Sequence, residues 1–123
     1  MTVALLPVDE QTTPTYQATL REYEGGPVVP GSALTSIKVW LFEAKSGTII
    51  NSRNGTSLAT NLVDENGVLL WTMAEEDTTL LSATHEYEIF VLEFEVRWDT
   101  PERVIRHRVD LFIQGYVKIP VAP

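Results

Sequence analysis

The chain contains no cysteine, which excludes disulfides, thiolate metal sites and thiol nucleophiles. Small secreted domains often depend on disulfides, so their absence points to folding in a reducing compartment. Histidine is nearly as scarce. There are two, His85 and His107, and no His-x-His or His-x3-His spacing joins them. A zinc site would need carboxylates for its other ligands, and none is expected. Positive charge is sparse: nine Lys and Arg stand against seventeen Asp and Glu, for a net charge of -8. Such a chain lacks the basic footprint that nucleic acid or an anionic membrane surface requires. No run approaches the roughly 20 apolar residues that cross a bilayer. The opening MTVALLPVDEQ has neither the basic start nor the apolar core of a signal peptide. Also missing are a G-x-S-x-G elbow, a glycine-rich phosphate loop, and any sustained i, i+3, i+4, i+7 pattern.

What remains is alternation. The 123 residues, 44% of them apolar, suffice for one domain with a real core. Residues 1–123 are read as that domain, with 1–13 an N-terminal arm and 120–123 a short tail that could order on assembly. Period-two runs broken by turn residues recur. TYQATLREY, 15–23, is a strand ending at Gly25-Gly26-Pro27. PVVPGSAL, 27–34, is a loop because of its prolines and glycine. SIKVWLFEA, 36–44, is a strand with apolar residues on both faces: Ile37, Val39 and Leu41 against Lys38, Trp40 and Phe42. Lys45-Ser46-Gly47-Thr48 turns the chain into TII, 48–50. NSRNGTS, 51–57, reads as a polar turn around Asn54-Gly55. Asp64-Glu65-Asn66-Gly67 is a second turn, leading into VLLWTM, 68–73. The stretch 74–84 carries one helical turn. Asp77 is expected to cap the N–H groups of Thr78 to Leu81, and Leu80 or Leu81 to plug the open end of a sandwich. A long hairpin follows, with strands 85–98 and 103–115 around the turn 99–102. A short final strand covers YVKI, 116–119.

The densest chemistry lies in HEYEIFVLEFEVRW, 85–98, where Glu86, Glu88, Glu93 and Glu95 alternate with aromatic and β-branched residues. Apolar residues occupy odd positions up to Val91 and even positions from Leu92. A bulge or sharp twist near Phe90–Leu92 is therefore expected, with all four glutamates facing outward. A four-residue turn closing the hairpin symmetrically sets Trp98 opposite Arg103, Glu95 opposite Arg106 and Glu93 opposite Arg108. Val96 then meets Ile105, Phe94 meets His107 and Leu92 meets Val109. Apolar residues pair with apolar and acids with bases, each charge pair contributing roughly 0.2–1 kcal/mol and mainly selecting register.

The same stretch resembles the E-x-D-x-x-E strand of laminarinase-type jelly-roll glycosidases. It departs from that pattern in having Glu at the middle position and the next acid five residues on. A retaining pair needs carboxyl groups about 5–5.5 Å apart in a concave cleft, so that chemistry would require Glu86 and Glu88 in a groove. His107 is expected to be a partly buried, hydrogen-bonded histidine. The acidic loops at 64–67 and 75–77 lack the calcium-loop pattern and read as solvated turns. Asn54-Gly55-Thr56 matches a glycosylation sequon, but a turn explains it. Trp40, Trp71 and Trp98 could form a sugar-stacking platform, although tryptophans are more often core or interface residues. Trp40 and Phe42 have outward parity and form a candidate contact surface.

The segment NGVLLWTMAEEDTTLLSATHEYEIFVL resembles a pattern of small immunoglobulin-like β-sandwich proteins among phage and prophage structural genes. The matching positions are Gly67, the strand 68–73, Asp77-Thr78 with Leu80 and Leu81, and Tyr87-Glu88-Ile89. The family commonly has glycine just before the Tyr strand, where this chain has Ala83-Thr84-His85. The resemblance implies a virion component, such as a tail, neck or baseplate subunit, folded in the host cytoplasm. It implies no catalytic residue.

Together these readings lead to an all-β fold: an immunoglobulin-like antiparallel sandwich of about seven to nine strands with one short helical turn. A jelly roll or small barrel is the alternative. The expected function is a non-enzymatic structural or interaction module that packs against itself or neighbouring protein subunits, with no cofactor, nucleic acid or membrane partner. A carbohydrate-binding module using tryptophans is the second reading, and a small glycosidase the third.

Overall fold

The computed structural model describes residues 5–82, 84–98 and 103–115. Its elements are almost all strands: β1 (Leu5–Asp9), β2 (Thr15–Thr19), β3 (Leu34–Glu43), β4 (Ile49–Leu58), β5 (Val68–Thr72), β6 (Tyr87–Trp98) and β7 (Arg103–Gln114). Two sheets form, one of five strands in the order β1-β7-β6-β3-β4 and one of two, β2-β5. The fold is thus an all-β sandwich. β2 and β5 share one layer, while β3, β6 and β7 share the other, the partition of an immunoglobulin-like sandwich.

The cause is visible in the central hairpin. β6 and β7 are rich in Val, Ile and Phe, which pack well on a pleated surface. Their register runs without a break from Tyr87 opposite Gln114 to Trp98 opposite Arg103. Phe90, Leu92, Phe94, Val96 and Trp98 all point inward and are buried. Across the layer they meet Tyr16 of β2 and Leu69 and Trp71 of β5. Phe94 lies at the centre, stacked on Tyr16 at 5.6 Å and edge-on to Trp71 at 5.8 Å. A buried aromatic of this size contributes about 1.5–3 kcal/mol by leaving water.

Four expectations need correction. No bulge interrupts β6 near Phe90–Leu92, because one parity is inward throughout. The apparent switch arises because the outer face also carries apolar residues, Ile89 and Val91. The sandwich is not wholly antiparallel: within the stretch 1–13, Leu5–Asp9 pairs in parallel with β7. Among the described residues there are three 3-10 turns, Gly31–Ala33, Thr60–Leu62 and Glu75–Thr78, not one. Residues 51–57 belong to β4, whose pairing with β3 shifts between Val39 and Trp40 and again between Trp40 and Phe42. Asn51 and Ser52 take positive φ, at 48° and 57°, and Gly55 at 72°. Turn chemistry there makes bulges on a sheet edge, not a hairpin. Of the two candidate plugs, Leu80 is buried and Leu81 exposed. The turn 99–102, the strand expected at 116–119 and the tail 120–123 lie outside the described residues.

The turn before β5 forms where it was expected. Asp64 Oδ1 accepts from the N–H groups of Asn66 and Val68 at 2.8 and 3.0 Å. Gly67 has φ +76°, and a Cβ there would lie 2.9 Å from Val28 Cβ, so only glycine fits.

Candidate functional site

The outer face of the five-stranded sheet gathers most of the side chains of interest. Ile37, Val39 and Leu41 are fully buried in the core, so Lys38, Trp40 and Phe42 alternate outward. Register then builds rows across the sheet. Phe42 lies beside Val91, which faces Asp110. Trp40 lies beside Glu93, which faces Arg108. Ile89 faces Phe112, and Tyr87 stacks on Phe112 at 4.7 Å. Val91 is 1% exposed although it points away from the core. Its neighbours on the outer face bury it. The Trp40 indole lies over β4, with its Cζ2 only 3.4 Å from where a Gly55 Cβ would be. The glycine in the bulge therefore makes room for the ring, as cross-strand aromatics do over edge glycines. A shallow hollow of about 150 Å³ lies among Trp40, Phe42, Glu93, Glu95 and Arg106.

Charge pairs occupy the rest of this face. Arg108 Nη1 is 3.9 Å from Glu93 Oε1, and its Nε is 3.4 Å from Asp110. Glu95 accepts from Arg97 Nε at 2.8 Å and Arg106 Nη2 at 3.2 Å. The Arg97 hydrogen bond, reinforced by Arg106, holds the Glu95 carboxyl below the usual carboxylate range despite its burial.

At the end of the sandwich where β3 stops and β6 starts, a groove of about 460 Å³ is lined by Glu43, Lys45, His85, Glu86, Tyr87 and Glu88, among others. Glu88 is on inward parity, opposite Ile113. This corrects the expectation that all four glutamates face outward. Its Oε1 accepts from Leu81 N at 2.6 Å, and its Oε2 from Ser82 N at 3.2 Å with His85 Nδ1 at 2.7 Å. Glu43 does the same for the following turn, accepting from Lys45 N at 2.8 Å and Ser46 N at 3.1 Å. The Lys45 N–H holds the Glu43 carboxyl below its ordinary range. A general acid needs the opposite shift. Both oxygens of Glu43 and of Glu88 are thus engaged in closing loops.

Asp77 has an equally structural position. It is fully buried. Its Oδ1 accepts from Asn51 Nδ2 and Arg53 Nε, both at 2.9 Å, and its Oδ2 from Arg53 Nη2 at 3.2 Å and Ala74 N at 2.7 Å. The expected cap of Thr78 to Leu81 is replaced by this clasp, because Asp77 sits inside the 3-10 turn and reaches back to its start. The β4 bulge aims Asn51 and Arg53 at the carboxylate, and Arg53 also lies over Trp71 at 5.5 Å. Thr78 Oγ1 accepts from Thr12 N at 3.0 Å, tying the chain after β1 to the same turn. Sequence reasoning missed this clasp. Its only signal was Asn51 and Arg53 in a segment that read as a turn.

The three tryptophans do not share a surface. Trp71 and Trp98 are core residues and only Trp40 lies on the outer face, so no tryptophan platform exists for stacking a sugar. His107 Nε2 is 2.5 Å from the Tyr16 hydroxyl, and burial lowers its pKa. Among the described residues no group of three or more His, Asp or Glu is placed to hold a metal ion. No protein-family model, curated protein or solved structure matches the chain.

Proposed function

We propose that this chain is a non-enzymatic structural module that docks on protein subunits through the outer face of its five-stranded sheet, around Trp40 and Phe42. The observation that carries this reading is the contrast between the two outer faces. β2 and β5 show water Thr15, Gln17, Thr19 and Thr72, with Leu70 the large apolar exception. The larger sheet carries Trp40, Phe42, Ile89 and Phe112 on its outer face, each half-buried, in adjoining rows, with Tyr87 exposed beside them. Apolar side chains collected on an outer sheet face mark a contact surface. The setting of a phage or prophage particle rests on the resemblance of residues 66–91. The Asp77-Thr78 and Leu80 positions of that pattern serve as clasp and plug, which a sandwich needs in any setting.

The test is mass spectrometry of intact particles induced from the source strain. Recovery of the chain in stoichiometric amount with capsid and tail proteins supports a virion component. Its absence from complete particles overturns that setting. For the docking face, Trp40→Ala with Phe42→Ala should abolish association with the neighbouring subunit while the fold persists. No observation favours the other two readings. Two of the three tryptophans are in the core, and Glu88 is occupied by backbone N–H groups.

A further inference from the structure

Two asparagines of the chain precede a glycine, Asn54 and Asn66. Both are exposed, and both glycines take positive φ, 72° at Gly55 and 76° at Gly67. Such a pair is chemically reactive. With no side chain on the following residue, its backbone nitrogen can approach the asparagine Cγ and displace the amide. The attack needs freedom in two places. The asparagine side chain must swing over the next peptide, and the backbone between them must turn to bring N and Cγ together.

The fold withholds that freedom from one site and leaves it at the other. The Asn66 N–H donates to Asp64 Oδ1 at 2.8 Å. The Gly67 N–H, which would have to lose its proton, donates to the Asp64 carbonyl at 3.0 Å, and the Gly67 carbonyl accepts from Leu20 N at 2.8 Å. Gly67 is buried, with the Leu20 and Val29 carbonyl oxygens only 3.1 Å from where its Cβ would be. Asn54 lies instead in β4, the last strand of its sheet, with a neighbour on one side only. Trp40 faces Asn54 and Val39 faces Thr56, so Gly55 is the extra residue of a bulge and has no partner of its own in the register. The three atoms nearest to where its Cβ would be all belong to the Trp40 ring, at 3.4–3.6 Å, and none to backbone.

We propose that Asn54 is a site of spontaneous deamidation, and that the turn around Gly67 protects Asn66. Hydroxide from solvent takes the Gly55 N–H proton, and the nitrogen attacks Asn54 Cγ. The N–Cγ bond forms, the Cγ–Nδ2 bond breaks, and Nδ2 leaves as ammonia with a proton from water. A second water then opens the imide ring. Opening at Cγ gives aspartate. Opening at the backbone carbonyl gives isoaspartate, whose main chain runs through Cβ and Cγ. Ammonia leaves, water enters, and nothing is oxidised. Either product adds one negative charge to the net charge of -8. That charge lies opposite Trp40 and next to Arg53, which holds Asp77. The assignment stands apart from the docking reading and survives its failure.

The test is to hold the folded full chain in mildly alkaline buffer, digest samples over time, and map the peptides by mass spectrometry, with isoaspartate distinguished from aspartate by fragmentation. Asn54 should convert at least about tenfold faster than Asn66, because reaction at Asn66 must await local opening of its turn. In strong urea, where both pairs are unfolded, the two rates should converge. Asn54→Gln, whose longer side chain closes such a ring far more slowly, should remove the fast release of ammonia. Thermal unfolding confirms that this variant folds. Conversion of Asn66 as fast as Asn54 in the folded chain, or an Asn54 that stays an amide there, overturns the assignment. Fast ammonia release that persists in Asn54→Gln places the labile amide elsewhere and overturns it too.

Discussion

Two regions of this sandwich use the same side chain in opposite ways. At the end where β3 stops and β6 starts, Glu43, Glu88 and Asp77 each receive backbone N–H groups from a turn. On the outer face, Glu93 and Glu95 meet arginine side chains across or along the strands. The difference lies in the backbone nearby. In the middle of β6 and β7 the neighbouring amides are all held in the ladder, so Glu93 and Glu95 find only side chains to pair with. Where the chain leaves the sheet, amide groups lose their ladder partners and must be satisfied in another way. A carboxylate accepts several at once, so Glu43 and Glu88 at strand ends, with Asp77 in its turn, close loops, while Glu93 and Glu95 in mid-strand pair with arginines.

The largest expected effect comes from removing the most buried of them. Asp77→Ala leaves Arg53 and Ala74 N without their partner and should cost about 3–5 kcal/mol, read as a lower urea midpoint. Asp77→Asn retains an acceptor and should cost less. A loss below about 1 kcal/mol for the alanine variant would place the clasp with exposed pairs. Glu88→Ala follows, at about 1–3 kcal/mol for the stranded Leu81 and Ser82 amides. Glu86→Ala, two residues away and exposed, should stay within about 0.5 kcal/mol. Equal costs at 86 and 88 would remove the distinction between loop-closing and surface acids.

Acid separates the regions differently. Burial holds the His107 imidazole below its usual 6.5. The unfolded chain therefore takes up a proton that the native chain resists, and stability falls as pH drops from about 6.5 toward the native value. Glu43 and Glu95 are held below their usual 4.5. Their contribution is present above that value and is lost as pH falls through the native ones. Acid should thus destabilise the protein in two stages, followed by denaturant midpoints across pH. His107→Gln should flatten the upper stage and spare the lower. A wild-type midpoint that stays level between about pH 7 and pH 5 would mean that His107 protonates freely inside the fold.

How much of this was legible follows the same division. The β6–β7 register could be read because a turn of fixed length aligns two alternating strands, and opposite charges fall into place. The inward parity of Ile37, Val39 and Leu41 was visible for the same reason. Glu88 was misread because alternation was judged by hydrophobicity, and an acid on the inward parity looked like a change of phase. The role of Asn51 and Arg53 could not be read, because a bulge depends on a partner 24 residues away, at Asp77. Local periodicity carries no record of such a contact. Likewise, the outer face read as two-sided in β3 alone; its continuation through Val91, Ile89 and Phe112 requires the sheet order.

The smallest effect tests the face rather than the loops. Exchanging Glu93 and Arg108 keeps opposite charges across the strand pair, so stability should change by less than about 0.5 kcal/mol. Glu93→Arg alone sets two cations opposite each other with Trp40 alongside, and should destabilise slightly, by about 0.5–1 kcal/mol. Both are read from denaturant midpoints at low salt, and the single-variant loss should shrink as salt is raised. A large loss from the exchange would mean that Glu93 or Arg108 is held by its surroundings as firmly as Glu88 is. In that case the outer face would be an organised part of the fold, not a surface left for a partner.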